Sequence, residues 1–576
     1  MMLRRLVEYA ERLDRQGELP PRMYGPTRIR WLIDLSRAGE LQGFVCTASD
    51  ANEGPARRGK EYLAPQIRRG SDVRAKLLAD RAEYALGLVH TGANMPMAAR
   101  RTVAAHAAFV ALVRKCAKAT GEPDICAVST FLKQLDLASL SLPEELSAQD
   151  VVTFRIAETL PIELPSVRSF WAAACEPKGK KEELRYCIVC GRLRVPAERH
   201  PVPIKGVPHG RTTGMQIVSA AEDAYESYGL SASLVVPICA ECAEHYAQAA
   251  NALLRSRDTR LVVGPLVYLL WTSGGQGFSA ARLLSDPDPG DVRELIMSVD
   301  RRRETGVSDA GQFYCAALAA SGGRIAVRDW TETTMSAVER SMARYFRLQR
   351  MATSDGADEP PWGVFSLAAA TAREAKGIEV QTVDALLRVA LYGGRVPPGL
   401  LYQALRRAKA GQNLTRPQAA LIKMALASWV SDVEGERMRE LDSERDDPAY
   451  LCGRLLAVLE RAQASATSAK ATIGDRFYGF ASTAPLAVFP RLLRGGQNHL
   501  AKLRRGKPGA HAHIQRQLKE ILGLLPEFPA VLDLADQGLF ALGYYHQRVA
   551  NWRRADAPEP GTEERLPVGP LDQPTL

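Results

Sequence analysis

Two pairs of cysteines constrain the folding of this sequence more than any other feature. They are Cys187 and Cys190 in YCIVCG, and Cys239 and Cys242 in PICAECAEH. Four thiolates can surround one Zn²⁺ ion in a tetrahedron, with Zn–S distances of about 2.3 Å. Because such a site leaves no position open for water or substrate, the pattern predicts one structural zinc site that folds residues 186–245. The alternatives are two unrelated cysteine pairs, or His200 or His245 in place of a cysteine ligand.

Length and composition narrow the class of protein. A chain of 576 residues is too long for one hydrophobic core, so we expect several domains. The sequence contains 46% hydrophobic and 24% charged residues, which is ordinary for a soluble globular protein. The N-terminal MMLRRLVEYAERLDR resembles an amphipathic helix and lacks the apolar core of a signal peptide. We therefore expect a cytoplasmic protein with no membrane partner, in which paired CxxC motifs favour a metal over disulfides.

Positive charge is concentrated in two stretches of a chain whose net charge is +10. Residues 57–76 contain seven lysines and arginines but only Glu61 and Asp72 as acids. Residues 476–519 contain nine lysines and arginines and no acid at all. Clusters of this kind favour a polyanionic partner such as a nucleic acid, although a solvated basic face is the simpler alternative.

The hydrophobic pattern changes along the chain. Alternating apolar residues on both sides of SRAGE predict a β-hairpin over residues 28–46, and further strands are expected at 261–271 and 324–330. Helices are expected at 77–87 and 97–118. Beyond about residue 335 the pattern is almost wholly helical, with apolar stripes over the segments 451–462 and 539–552.

These patterns predict an α+β fold. We expect a mixed α/β N-terminal region with a zinc-clipped segment, followed by an all-helical C-terminal bundle. Acidic and Pro/Gly-rich breaks suggest the boundaries, which give an α/β region (1–345, with the clipped segment 186–245), a helical connector (346–440) and the bundle (441–576). The tail after about residue 555 is rich in proline and charge and is expected to be disordered.

Motifs of known catalytic chemistry are missing from the sequence. It contains no HExxH, GxxxxGK[ST] or GxSxG pattern, which favours a binding protein over an enzyme. The loop HPVPIKGVPHGRTTG (200–214) places Lys205 and Arg211 near glycines, which can bring backbone amides close to phosphates. A plain loop would have the same composition.

Three segments carry a family resemblance: IKGVPHGRTTGMQIVSAAEDAYESYGL (204–230), DRFYGFASTAPLAVFPRLLRGGQNHLAKLRR (475–505) and DQGLFALGYYHQR (536–548). With these segments the chain resembles the large subunit of the type I-C CRISPR surveillance complex, or Cascade. The resemblance implies a non-catalytic subunit near the 5′ handle of the guide RNA. It would recognise the protospacer-adjacent motif (PAM) on double-stranded DNA, help open the duplex, stabilise the R-loop with its displaced strand, and recruit the helicase-nuclease.

Other partners also follow from the resemblance. They are the backbone and RNA-processing subunits of the complex, and a small subunit made by internal translation of the same gene. An internal start at Met424 or Met438 would give 153 (576−424+1) or 139 (576−438+1) residues, and a start at a non-AUG codon is equally open. The alternative function from another class is a zinc-dependent nucleic-acid-processing enzyme.

The basic stretches supply the candidate contacts under this interpretation. Residues expected to contact DNA and the PAM lie between the predicted hairpin and the predicted helix at 77–87; they are Gln66, Arg68, Arg69, Ser71, Arg74 and Lys76. Residues expected to contact the nucleic-acid backbone are Arg57, Arg58, Lys60, Lys205, Arg211, Arg491, Arg494, Asn498, Lys502, Arg504 and Arg505. One or two of the first group should read bases, since most protein–DNA hydrogen bonds go to phosphate and sugar.

Overall fold

The computed structural model describes most of the chain. The described residues are 2–48, 59–67, 69, 73–89, 95–176, 184–219, 224, 226–227, 229–274, 278–305, 311–353, 357–411, 413–468 and 471–553. The tail that the sequence predicts to be disordered, after about residue 555, lies outside these residues. No helix within them has both the length and the apolar character that crossing a membrane requires.

Twelve strands occur in the described residues, and they form two four-stranded and two two-stranded sheets, with the orders β3-β2-β6-β5, β12-β11-β10-β9, β1-β4 and β7-β8 once the strands are numbered along the chain. The strands are β1 (Tyr24–Ile29), β2 (Trp31–Leu35), β3 (Leu41–Cys46), β4 (Lys60–Pro65), β5 (Ala79–Arg81), β6 (Val151–Ile156), β7 (Arg185–Tyr186), β8 (Leu193–Arg194), β9 (Arg260–Val263), β10 (Leu266–Thr272), β11 (Gln312–Ser321) and β12 (Arg324–Thr334).

Helices occur throughout the described chain and dominate it after β12. They are α1 (Met2–Arg15), α2 (Ala82–Ala85), α3 (Met95–Thr120), α4 (Pro123–Gln134), α5 (Pro165–Ala174), α6 (Ala240–Arg255), α7 (Ala280–Ser285), α8 (Pro289–Thr305), α9 (Met335–Gln349), α10 (Val364–Ala369), α11 (Val380–Tyr392), α12 (Pro398–Gly411), α13 (Arg416–Trp429), α14 (Asp432–Arg437), α15 (Pro448–Ala466), α16 (Ile473–Ala481), α17 (Pro485–Gly506), α18 (Pro508–Leu524) and α19 (Leu534–Arg553). The predicted fold class, a mixed α/β N-terminal region followed by a helical C-terminal region, is confirmed.

The chain divides into two compact units. The N-terminal unit comprises Met1–Ser256, Pro265–Leu269 and Cys315–Trp330, and the C-terminal unit comprises Arg257–Gly264, Leu270–Tyr314 and Thr331–Leu576. The chain therefore passes from one unit to the other within β10, β11 and β12. The predicted region boundaries near residues 345 and 440 stay predictions.

The first four-stranded sheet organises the core of the N-terminal unit. β2 pairs antiparallel with β3, which confirms the predicted hairpin, and pairs parallel with β6, so that Ile33 lies opposite both Phe44 and Phe154. Ile33 and Phe154 are completely buried. Phe154 packs against Phe109 of α3, with ring centroids 6.3 Å apart. Burial of these apolar side chains is the main force that holds the sheet to its helices.

The predicted helix at 77–87 is wrong in its first half. Residues Ala79–Arg81 form strand β5 and pair antiparallel with β6, and only one helical turn, α2, follows. Leu78 has a positive φ of 60°, and its carbonyl accepts a hydrogen bond of 3.0 Å from the hydroxyl of Thr153. A pairing partner from a distant part of the chain thus overrides the local helical pattern.

The end of the C-terminal unit is a bundle of α15–α19 around α15, which is buried along most of its length. α15 and α19 cross closely because each has a glycine at the contact. A Cβ on Gly453 would lie 2.0 Å from the Phe540 carbonyl oxygen, and one on Gly543 would lie 2.1 Å from that of Tyr450. The segments predicted to be helical at 451–462 and 539–552 lie within α15 and α19, but the two helices cross at these glycines and not at the predicted apolar stripes.

Candidate metal centre and nucleic-acid interface

The first cysteine pair lies on a tight turn closed by the short hairpin β7–β8. In this hairpin Arg185 pairs with Arg194. The Cys187 N–H donates to the Arg192 carbonyl at 3.0 Å, and the Gly191 N–H donates to the Cys187 carbonyl at 2.8 Å. Gly191 has a φ of 70°, which a residue with a Cβ adopts only at a cost. The CxxCG sequence therefore folds locally into a turn that points both thiols to one side.

The second pair lies at the start of α6. Cys239 is the N-cap residue of this helix, and Cys242 lies in its first turn. Backbone hydrogen bonds join the two pairs: the Ile188 N–H donates to the Pro237 carbonyl (3.0 Å), and the Ala197 N–H donates to that of Ile238 (2.8 Å). Two segments that are distant in sequence are thus fixed against each other.

Together the two pairs form a cluster of sulfur atoms. The Sγ atoms of Cys187, Cys190, Cys239 and Cys242 all lie within 4.8 Å of one another, and all but Cys190 are buried. In the described part of the chain this is the cluster suited to a metal ion, and it contains no histidine. His200 instead bonds through its Nδ1 to the hydroxyl of Tyr246. Four converging thiols are the donor set of a tetrahedral structural metal site.

The protonation of the cluster also suits a metal. The Cys242 thiol and backbone N–H stabilise the Cys239 thiolate by hydrogen bonding, and this lowers the pKa of Cys239. The same interaction raises the pKa of Cys242, because its thiol is the donor. Hydrogen bonding within the cluster therefore favours the thiolate at Cys239, and thiolates are the form in which cysteine binds metals.

Gln66 follows directly after β4 and is held from several sides. Its N–H donates to the Met23 carbonyl at 2.7 Å, and its side-chain amide donates to the hydroxyl of Thr27. Its side-chain oxygen accepts a hydrogen bond of 3.2 Å from the Lys76 ammonium. The segment that carries the candidate DNA contacts is therefore attached to the β1–β4 sheet at Gln66.

The guanidinium of Arg69 makes its contacts within the protein. It pairs with the buried Asp80, donates through Nε to the Arg74 carbonyl (2.7 Å), and lies 3.9 Å from the centroid of the Tyr84 ring. Asp80 also accepts a hydrogen bond of 2.8 Å from the Lys76 N–H. Arg69 and Asp80 thus shape the loop, on which the Arg74 side chain is exposed.

The structure brings Lys205 close to this segment, although the two are far apart in sequence. The pKa of Lys76 is lowered to about 8, mainly by burial; the charge of Asp80 raises it, and the positive charges of Arg69 and Lys205 lower it. Lys205 itself is exposed, and its N–H is held by the Asn251 side chain at 2.9 Å. The cluster formed by Gln66, Arg69, Arg74, Lys76 and Lys205 is called the basic loop cluster below.

The remaining N-terminal candidates are not part of the basic loop cluster. Lys60 is exposed, with its ammonium 5.6 Å from the centroid of the Tyr62 ring. Arg211 is exposed, and its guanidinium lies beside Gly323, in the turn between β11 and β12. Four further candidates lie outside the described residues: Arg57, Arg58, Arg68 and Ser71.

In the C-terminal unit, α17 carries six candidates. Its inner face is formed by residues such as Phe489, Leu492, Leu500 and Leu503, which are buried. At 3.6 residues per turn, five exposed candidates fall within an arc of about 80° on the opposite side; they are Arg491, Arg494, Asn498, Lys502 and Arg505. Arg504 is exposed too but lies about 220° round the helix from Arg491. We call the five residues the α17 stripe.

Comparison with known families decides the identity of the chain. The family described as "CRISPR-associated protein (Cas_Csd1)" matches residues 6–552. The chain belongs to this family. Its members are large subunits of the type I-C Cascade, so the predicted resemblance is confirmed. No curated protein matches the sequence.

Several residues that shape the basic loop cluster of this Cas_Csd1 family member were missed by the sequence analysis. Asp80, Tyr84 and Met23 hold the loop, and none of them lies in a recognisable motif. The one signal in the sequence was Asp80, because an aspartate directly after the apolar LLA of LLADRAEYALG needs a cationic partner if it becomes buried.

Proposed function

We propose that the chain is the non-catalytic subunit that recognises the PAM on duplex DNA, helps to open the duplex and stabilises the R-loop. The observation that carries this proposal is the basic loop cluster. Cations from two distant segments converge there, and Arg69 is held by Asp80 and by the Arg74 carbonyl. Pairing with the guide RNA reads the target sequence, so the protein needs to read only a short motif and the DNA backbone.

Within the cluster we assign different roles to different residues. Arg74 is exposed on a loop fixed through its own carbonyl, so it is the candidate that reads a base edge in a groove. Gln66 and Lys76, which are joined by a hydrogen bond, are the second candidates for base contacts. Lys60 and Lys205 contact phosphates, which fix the position of the duplex without reading sequence. Arg69 shapes the loop and is the candidate least available to DNA.

We infer that the four-cysteine cluster holds one Zn²⁺ ion. Zinc binds four thiolates in a closed tetrahedral site, and the distances within the cluster fit this arrangement. The ion would brace the segment between β7 and α6, from which Lys205 is presented. A closed four-thiolate site has no position for a reactive water, which favours a structural role over a zinc-dependent nucleic-acid-processing enzyme.

The remaining partners follow from the family. As a Cascade subunit the chain works with other subunits and nucleic acids. We propose that these include the 5′ handle of the guide RNA, the backbone and RNA-processing subunits, and the helicase-nuclease that the complex recruits. Purification of the tagged chain from cells that express the whole system should therefore also recover a short guide RNA. A chain that purifies without RNA and instead cleaves DNA when metal is added would contradict the proposal.

PAM recognition gives the sharper test. In the assembled complex, Arg74→Ala should weaken binding to the preferred motif by roughly 5- to 150-fold and relax discrimination at one motif position, because a base contact contributes ~1–3 kcal/mol. The measurement is binding to a library of duplexes with randomised sequence beside the target. Lys60→Ala is the matched variant: it should weaken all motifs alike and reduce the salt slope by about 1. If Arg74→Ala leaves every motif unchanged, another residue reads the PAM.

We propose that α15–α19 is also made separately, as the small subunit. Met424 lies in the middle of α13, whereas Met438 follows α14 and precedes α15, so a start at Met438 keeps the bundle helices whole. The intact gene should yield a fragment of 139 residues (576−438+1), which Met438→Leu, encoded by CUC, removes. Leucine nearly conserves the volume of this buried side chain, so the large subunit should still fold. Met424→Leu is the control, and loss of the fragment in that variant alone would overturn the assignment.

A further inference from the structure

Glu244 is an acid buried in the N-terminal unit, two residues after the last cysteine of the cluster. Its side chain is only 1% exposed. It accepts hydrogen bonds from the backbone N–H of Met23 and, at 3.2 Å, from the side-chain amide of Gln248. Its second oxygen lies 3.7 Å from Nε of Arg22. Helix α6 therefore carries both half of the cysteine cluster and a direct bond to the start of β1.

Met23 receives this bond in an unusual conformation. Its φ is 58°, in the left-handed region, which costs free energy for a residue with a side chain. The conformation is held from both sides of the peptide. The N–H donates to Glu244, while the carbonyl accepts from the Trp171 indole (3.0 Å) and from the Gln66 N–H (2.7 Å). Met23 is therefore the point at which α6 and the end of β4 are joined.

A continuous set of contacts then leads from the cysteine cluster to the basic loop cluster. It runs from Cys242 along two residues of α6 to Glu244, through the Met23 backbone to Gln66, and from the Gln66 side chain to the Lys76 ammonium at 3.2 Å. Every link after the helix is a hydrogen bond, and Glu244 is the side chain that connects the helix to the strand.

We propose that Glu244 is a positioning residue for DNA recognition, through which the four-cysteine clip sets the orientation of Gln66 and Lys76 in the basic loop cluster. The proposal rests on the proposed function, and it adds that the state of the cysteine cluster and the discrimination of motifs are coupled. Glu244 does not contact DNA in this arrangement, so its loss should change discrimination without changing the number of phosphate contacts.

The test uses the full chain in its guide-RNA complex, with Glu244→Ala, Glu244→Gln and Glu241→Ala compared. Glu241 is exposed on the first turn of the same helix, so Glu241→Ala removes an acid close to the cysteines in sequence without touching the contact to Met23. Glu244→Ala should weaken binding to the preferred motif about tenfold while leaving metal content and salt slope as in the parent. Glu244→Gln keeps an oxygen acceptor for the Met23 N–H and should bind within about twofold of the parent, as should Glu241→Ala.

If Glu244→Ala does not fold, a second measurement tests the coupling between the cysteine cluster and the basic loop cluster. In the parent, removal of metal by a chelator should raise the amide hydrogen exchange of Met23 and Gln66 at least tenfold, while β2 and β6 stay protected. Unchanged exchange at these two amides, or parent-like discrimination by folded Glu244→Ala, would overturn the coupling. A parent complex that shows no motif dependence at all would instead contradict the proposed function.

Discussion

Replacement of Cys190 by serine is expected to remove the bound metal and destabilise the N-terminal unit. Cys190 is the exposed member of the cluster, so the serine changes packing little and acts mainly by removing a thiolate ligand. Binding of zinc to structural sites contributes about 10–16 kcal/mol in zinc-finger peptides, and this binding free energy is also folding free energy. We therefore expect the parent to carry about one equivalent of zinc and the variant to unfold about 10 °C lower or more.

Metal content by mass spectrometry and the unfolding temperature by calorimetry are the measurements. Cys126→Ser is the matched control, because Cys126 is also exposed but lies on α4, outside the cluster. It should keep its metal and its stability. A parent chain that is free of metal and as stable as Cys190→Ser would show that the four cysteines are only a set of thiols.

Much of the fold could be predicted because the relevant signals are local. The turn between β2 and β3 is marked by SRAGE, and the buried face of α15 by apolar residues at helical spacing. The cysteine cluster is a long-range feature, yet it too could be predicted, since two CxxC pairs in one chain suggest a common ligand. In each case the residue types and their spacing are enough to predict the local structure or, for the cysteines, the common ligand.

The arrangement of the basic loop cluster could not be predicted in the same way. Nothing in the residues around Lys205 indicates that the loop folds next to Lys76, because this proximity depends on α6 packing against the start of the chain. The helix predicted at 77–87 failed for a related reason. Its pattern is helical, but pairing with β6 supplies Ala79–Arg81 with hydrogen bonds that a single amphipathic turn cannot match.

Neutralising the α17 stripe is expected to have the largest effect on binding of single strands. The stripe runs from Arg491 to Arg505, a rise of about 21 Å along the helix, and its four cations all face away from the buried side. Each phosphate neutralised on a single strand contributes about 0.7 to the slope of log K against log salt. Replacement of Arg491, Arg494, Lys502 and Arg505 by glutamine should therefore lower this slope by about 3 and the affinity at 0.1 M salt on the order of several hundred-fold.

Arg504 is the control that separates the position of a cation on α17 from the total charge of the helix. It belongs to the same helix and is equally exposed, but it lies on a different side from the stripe. In titrations of the full chain with a fluorescent single-stranded oligonucleotide, Lys502→Gln should lower the slope by about 0.7, and Arg504→Gln should leave it nearly unchanged. Equal losses in both variants would mean that the strand responds to the net charge of α17, and no loss in either would place the strand on another surface.

The α17 stripe consists of four cations and one amide, with no aromatic side chain on which a base could stack. Oligonucleotides of different sequence should therefore bind with similar affinity.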